Sequence, residues 1–214
     1  MSSIKLRNAI PDIFADSKSL TSEVWLHDVD FERGKSYLIE ADSGTGKSSL
    51  CSYIYGLRSD YQGTILIDDR DIRRFSINKW CEIRQSKISI LFQDLRLFGE
   101  LTAMENIQIK HRLNKIHSKR IIEAWFDMLG ISDKMDTRID HMSYGQQQRV
   151  ALIRALCQPF EYLILDEPIS HLDDRNSEIM RDIILGEVER QGAALIATSI
   201  GKHMNIDYDK ILNL

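Results

Sequence analysis

The sequence predicts an α/β domain built on a mostly parallel sheet, and three observations carry that prediction. An apolar run, Tyr37-Leu38-Ile39, leads into Ala41-Asp42-Ser43-Gly44-Thr45-Gly46-Lys47-Ser48-Ser49 and then into a helical stretch from Ser48 to about Tyr55. A second apolar run, Tyr162 to Leu165, ends in two adjacent acids, Asp166 and Glu167. Around both, strand-like and helix-like segments alternate, as a parallel sheet with helical crossovers requires. A strand apolar throughout is buried on both faces. The carboxyl edge of such a sheet is where open α/β folds bind ligands.

The elements follow in order. Residues 1–40 read as β-rich: Ile4-Lys5-Leu6, then Val24-Trp25-Leu26, then a turn at Glu32-Arg33-Gly34-Lys35 and the strand entering the glycine loop. Pro11 to Ser22 reads as irregular. Gly63 to Asp69 is a strand and turn, Ile77 to Gln85 a helix, and Ile88 to Phe92 a short apolar strand ending at Gln93. Residues from about Leu95 to Arg138 lack strand signals. Within them Ser118 is an N-cap, Ile121, Ile122, Trp125 and Leu129 share one helical face, and Gly130 is the stop. A polar turn, Ser143-Tyr144-Gly145-Gln146, opens a helical run toward the acidic strand. Ser177 to Gln191 is a further helix, Ala193 to Ala197 a buried strand, and Lys210-Ile211-Leu212 a short final one.

At 214 residues the chain holds one sizeable core, with room for an inserted subdomain. A net charge of −4 gives no electrostatic case for nucleic acid as a partner. The basic cluster Lys110 to Arg120 reads as a solvated helix face, with a docking surface as the lesser alternative. The three cysteines, Cys51, Cys81 and Cys157, are widely spaced and match no metal pattern, which fits buried or free thiols in a reducing compartment. No segment has the layout of a signal peptide or the length of a membrane-spanning helix. Membrane association is therefore expected only through a partner.

Residues 41–49 have the chemistry of a phosphate cradle. Glycines let backbone N–H groups turn inward around an anion, and the following helix adds its positive dipole end. Lys47 can reach the outer phosphates, and the Ser48 hydroxyl can ligate magnesium. Ala41 stands where the full motif begins with glycine, while Gly44 and Gly46 remain.

With these parts in order, the chain resembles the nucleotide-binding subunits of ATP-binding cassette (ABC) transporters over nearly its whole length. The motifs that carry the resemblance are the phosphate loop 41–49, Gln93, the turn 142–146, the acidic strand 162–167 and Ser170-His171-Leu172-Asp173. The segments Phe92-Gln93-Asp94 and Leu101 to Asn106 look most like the lipoprotein-releasing, macrolide-exporter and cell-division branch. The resemblance implies a P-loop NTPase of ABC type: a mixed/parallel sheet core, an N-terminal antiparallel β region and a helical subdomain at about residues 95–140. It implies ATP and Mg2+ as cofactors. Residues 41–49 would bind ATP; Ser48, Gln93 and Asp166 would hold the metal; Glu167 would accept a proton from, or orient, the attacking water. Ser143, Tyr144, Gly145 and Gln146 would bind the γ-phosphate held by a partner subunit. Each chain then carries half of two sites, which requires a head-to-tail, ATP-dependent homodimer with Asp173 near the seam. Adenine would stack on Phe14, with Trp25 as the rival.

Two departures from the family pattern stand out. Tyr144 replaces the first glycine of the signature turn. Ser199 stands where the family has a histidine that contacts the γ-phosphate. A hydroxyl donates one hydrogen bond but carries no charge, and loss of such a donor costs on the order of a hundredfold in rate. His203 either reaches back toward the site or faces solvent. The resemblance thus implies an ATPase, slowed at Ser199, that drives a separate integral membrane permease from the cytoplasmic side. Leu97, Phe98 and Leu101 are candidates for the permease groove. The alternative is an ATP-dependent signalling or scaffold module on a membrane partner that moves no substrate.

Overall fold

In the computed structural model, which describes residues 3–16, 21–169 and 173–214, two sheets divide the strands between them. The antiparallel sheet has the order β2-β1-β4-β5, from β1 (Ser3–Pro11), β2 (Val29–Glu32), β4 (Tyr61–Ile67) and β5 (Arg70–Asp71). The parallel sheet has the order β6-β7-β8-β3-β9, from β3 (Ser36–Glu40), β6 (Ile88–Leu91), β7 (Tyr162–Asp166), β8 (Ala194–Ser199) and β9 (Lys210–Asn213). Every residue of β7 and β8 is buried, the pattern of strands covered on both faces. The register sets β7 beside β8 and β8 beside β3, so Asp166 pairs with Thr198 and Glu40 with Ser199. The acid pair and the phosphate loop therefore leave the same sheet edge with one strand between them.

Six helices are described. α1 (Lys47–Ile54) follows the phosphate loop, α2 (Ile77–Ser86) precedes β6, and α3 (Ala103–Asn114) and α4 (Lys119–Met128) fill the stretch before α5 (Tyr144–Leu156). α6 (Asp174–Gln191) leads to β8. Thr102 and Glu105 form a reciprocal capping box that starts α3, and Ser118 caps α4 as its sequence predicts. Ile122, Trp125 and Phe126 of α4, with Leu129 at its C-cap, join a core shared with α5. Among the described residues no helix is long and apolar enough to cross a membrane, and Cys51, Cys81 and Cys157 are free thiols.

Two expectations are corrected. Val24-Trp25-Leu26 is a turn, not a strand. The Ser22 hydroxyl accepts from the N–H groups of Val24 and Trp25, and Leu26 sits at φ 61°, so local hydrogen bonds outcompete the β propensity of these residues. The basic run Lys110 to Arg120 is not one solvated helix face. Lys115, at φ 49°, ends α3, and His117 is buried with its imidazole 3.1 Å from the Glu187 carboxylate of α6.

Lys110 departs further from a solvated cation. Burial, with Arg154 and Arg84 nearby, lowers its pKa to about 8. A lysine whose folded pKa lies below its unfolded value costs stability in full below pH 8, and that cost disappears as pH rises through the unfolded value. Lys110→Met should therefore raise the melting temperature at pH 7 by a few degrees, for about 1–2 kcal/mol. It should also abolish part of the stability gained between pH 8 and 10. Thermal melts of both proteins across that range check this.

Candidate functional site

The strand β3 delivers its chain into the phosphate loop, where Gly44 and Gly46 take φ of 85° and 103°. Both values favour glycine, and at Gly46 an added Cβ would also lie 3.1 Å from Phe14 and 3.2 Å from Trp25. The loop encloses Lys47, which is 4% exposed and donates to the carbonyls of Ala41 (3.0 Å) and Asp42 (2.7 Å). Burial lowers the lysine pKa, opposed by Glu167 and Asp166. The Thr45 hydroxyl closes the loop on the Asp42 carbonyl.

The acids at the end of β7 converge on this lysine. The Glu167 carboxylate is 3.9 Å from the Lys47 ammonium and accepts from the Gln93 side-chain amide at 3.2 Å. Glu167 sits at φ 51°, a left-handed conformation costly for a residue with a side chain, as occurs at sites that hold a group in one direction. Thr198 of β8 ties the pair together: its hydroxyl accepts from the Glu167 N–H (3.1 Å) and donates to Asp166 (2.8 Å). Asp166 is buried, which pushes its carboxyl up, while hydrogen bonds from Thr198 and Ser48 and the charge of Lys47 oppose the shift. A cleft of about 370 Å³ is lined by Lys47, Ser48, Ser49, Gln93, Glu167 and Phe14, among others.

Magnesium prefers oxygen ligands and keeps several waters. The Ser48 hydroxyl, the Asp166 carboxylate and the Gln93 amide oxygen are such donors, and the Ser48–Asp166 hydrogen bond brings the first two together. Among the described residues no three His, Cys, Asp or Glu side chains form a metal cluster. The chemistry of this donor set fits a cation whose shell is completed by phosphate and water.

The rival aromatics separate. Trp25 is 1% exposed, and its indole N–H donates to the Thr45 carbonyl (3.1 Å), so it braces the phosphate loop from behind. Phe14 ends a short 3₁₀ turn, Asp12–Phe14, and lines the open cleft. Residues 17–20, within the irregular stretch, lie outside the described residues, as do Ser170, His171 and Leu172.

The remaining candidates are spread. Ser143 caps α5, its hydroxyl accepting from the Gln146 N–H while Gln146 returns a bond to the Ser143 N–H. Tyr144 and Gly145 are the first two helical residues. The Tyr144 phenol donates to the Gln93 carbonyl at 2.7 Å, linking the signature turn to the glutamine loop within one chain. Asp173 is exposed and caps α6 through the Asn176 N–H, a bond that lowers its pKa. Ser199 is 2% exposed, and its hydroxyl donates to the Lys202 carbonyl at 2.6 Å. His203 lies 3.2 Å from the Glu40 carboxylate and packs near Tyr208. The side chain that lines the phosphate cleft from the end of β8 is Ile200. Leu97 packs on the core, and Phe98 is 52% exposed.

Sequence reasoning missed Trp25 as a brace, Thr198 as the joint between the acids, and Ile200 as a cleft wall. Thr198 carries no local signal, since a β-branched side chain suits any strand. Only the register that pairs it with Asp166 reveals its role.

The sequence profile of the ABC transporter family matches residues 26–170. The chain is 30% identical over 188 residues to an uncharacterized ABC transporter ATP-binding protein of Mycobacterium tuberculosis, covering 86% of this chain and 76% of that one. It is 26% identical over 212 residues to the lipoprotein-releasing system ATP-binding protein LolD of Shewanella denitrificans, covering 97% and 90%. It is 29% identical over 188 residues to the macrolide export ATP-binding/permease protein MacB of Shewanella sp. (strain ANA-3), covering 85% of this chain. The match spans only 28% of that relative's length. Among solved structures, a dimeric ATP-binding cassette in a post-hydrolysis state with ADP and phosphate superimposes with a TM-score of 0.76 at 23% identity, covering 92% of this chain and 87% of the other. A bacterial Atm1-family exporter with ATP bound gives 0.79 at 24% identity, covering all of this chain and 37% of the exporter. At these identities the structural likeness speaks to the fold.

Proposed function

The chain belongs to the ABC transporter family, and we propose that it is the ATP-hydrolysing cassette of a transporter whose membrane permease is a separate subunit. The observation that carries this reading is the convergence of Lys47, Gln93 and Glu167 around one cleft at the sheet edge. Phosphoryl transfer needs positioning and charge neutralisation more than covalent chemistry. Lys47 and the N–H groups of residues 44–49 would hold the phosphates, Phe14 would stack on adenine, and Glu167 would orient and deprotonate water. Ser48, Asp166 and Gln93 would hold a magnesium ion, which supplies charge neutralisation at the phosphates.

We assign Ser143, Tyr144, Gly145 and Gln146 to the ATP of a second copy and Asp173 to the seam. A head-to-tail homodimer then completes two sites. Residues at about 95–140 would form the helical subdomain that meets the permease at the cytoplasmic face, with Leu97, Phe98 and Leu101 as groove candidates. The LolD and MacB relatives support this branch.

Hydrolysis would be slow. The Ser199 hydroxyl is spent on Lys202, His203 is engaged by Glu40, and the aliphatic Ile200 lines the cleft where the phosphates would sit. None of the three supplies a donor to the γ-phosphate. Ile200→His should raise steady-state turnover about tenfold, while Ser199→His, which places a ring in a buried position, should leave it unchanged or lower it. A faster Ser199→His with an unchanged Ile200→His would return the missing contact to position 199. Slow turnover also favours a second reading, an ATP-dependent signalling module on a membrane partner. Substrate movement by the reconstituted complex in vesicles separates the two.

A further inference from the structure

Arg58 lies on the turn that joins α1 to β4 and is no part of the phosphate-loop motif. Its side chain is nonetheless anchored on three sides. Nε donates to Asp60 at 2.9 Å, and Nη2 donates to the other oxygen of the same carboxylate. Nη1 donates to the Ser49 hydroxyl at 2.9 Å, and the guanidinium carbon lies 5.4 Å from the centre of the Tyr53 ring. Tyr53 in turn donates to the Asp60 carbonyl. An arginine has five N–H donors, so this arrangement commits three and leaves two on a fixed plane.

Arg58 lines the same cleft as Lys47, Ser48, Glu167, Ile13 and Phe14. Lys47 and Arg58 are the cations among the residues lining it. Lys47 stands beside Glu167, where the outer phosphates belong; Arg58 stands beside Ser49. A nucleotide stretched from Phe14 to Glu167 would bring the phosphate nearest its ribose past Ser49. From this geometry we infer that Arg58 is a nucleotide-binding residue that contacts this inner phosphate, a second cation working opposite Lys47.

The inference rests on the cleft being the nucleotide site, and calorimetry with ADP keeps the two claims apart. Arg58→Gln should weaken ADP binding about five- to tenfold, because Asp60 already offsets part of the charge. Arg58→Lys, which keeps the charge but loses the fork on Asp60 and the plane that aims the two remaining donors, should bind ADP with an affinity between those of wild type and Arg58→Gln. Unchanged ADP affinity in Arg58→Gln would overturn the assignment and leave Arg58 a brace for its turn. So would an Arg58→Lys as weak as Arg58→Gln, since the fork and not the charge would then matter. A wild-type protein that binds no ADP would instead overturn the reading of the cleft itself.

Discussion

Glu167→Gln should lower steady-state ATP turnover by about a hundredfold or more, the usual contribution of a positioned general base, while ATP affinity stays within about twofold of wild type. The substitution removes the proton acceptor and the negative charge 3.9 Å from Lys47 and keeps the shape of the side chain. The Glu167 carboxylate accepts from the Gln93 amide while its backbone N–H donates to the Thr198 hydroxyl, and glutamine has the same length and keeps an acceptor oxygen. The left-handed backbone at Glu167 is unaffected by the change of side-chain terminus. Phosphate release measured beside nucleotide binding separates the two effects. Equal turnover in the two proteins would mean that Glu167 does not activate water here.

Lys47→Ala should weaken ATP binding by about a hundredfold, with ADP affected less. A buried ammonium making charge-assisted bonds to phosphate contributes about 1.5–3 kcal/mol, and each 1.4 kcal/mol is tenfold. The lysine is already desolvated, and its bonds to the Ala41 and Asp42 carbonyls aim it into the loop before any nucleotide arrives. Calorimetric titration with both nucleotides checks this. Folding should change little, because removing the ammonium also removes the burden of burying its charge.

The parts of the site written within a few residues of each other were legible in the sequence. The phosphate loop is local: glycines at 44 and 46, a lysine at 47 and a helix after them state the geometry that φ of 85° and 103° then displays. The acid pair is equally local, since an apolar run must end where the sheet ends. What escaped depends on pairing between distant segments. Trp25 reaches Thr45 across twenty residues, and Thr198 serves Asp166 and Glu167 only because β8 lies beside β7 in that register. Aromatic and β-branched residues at 24–26 suggested a strand, but one serine hydroxyl, on Ser22, supplied the local bonds that make a turn. Spacing from the family pattern points to position 199, and spacing cannot say which of two consecutive residues at a strand end faces the cleft. Tyr144, in place of the first glycine, needs room that the signature turn has to supply. Its ring instead leaves the helix start intact and spends its hydroxyl on the Gln93 carbonyl.

In the proposed assembly each chain carries two half-sites, completed by a second copy around ATP. Glu167→Gln, expected to bind ATP and turn it over about a hundredfold more slowly, isolates that step. Sedimentation of this variant with ATP and magnesium should show a species of twice the 24.8 kDa chain mass, reverting to the monomer with ADP. A variant saturated with ATP that still sediments at 24.8 kDa would contradict the shared-site reading of Ser143 to Gln146.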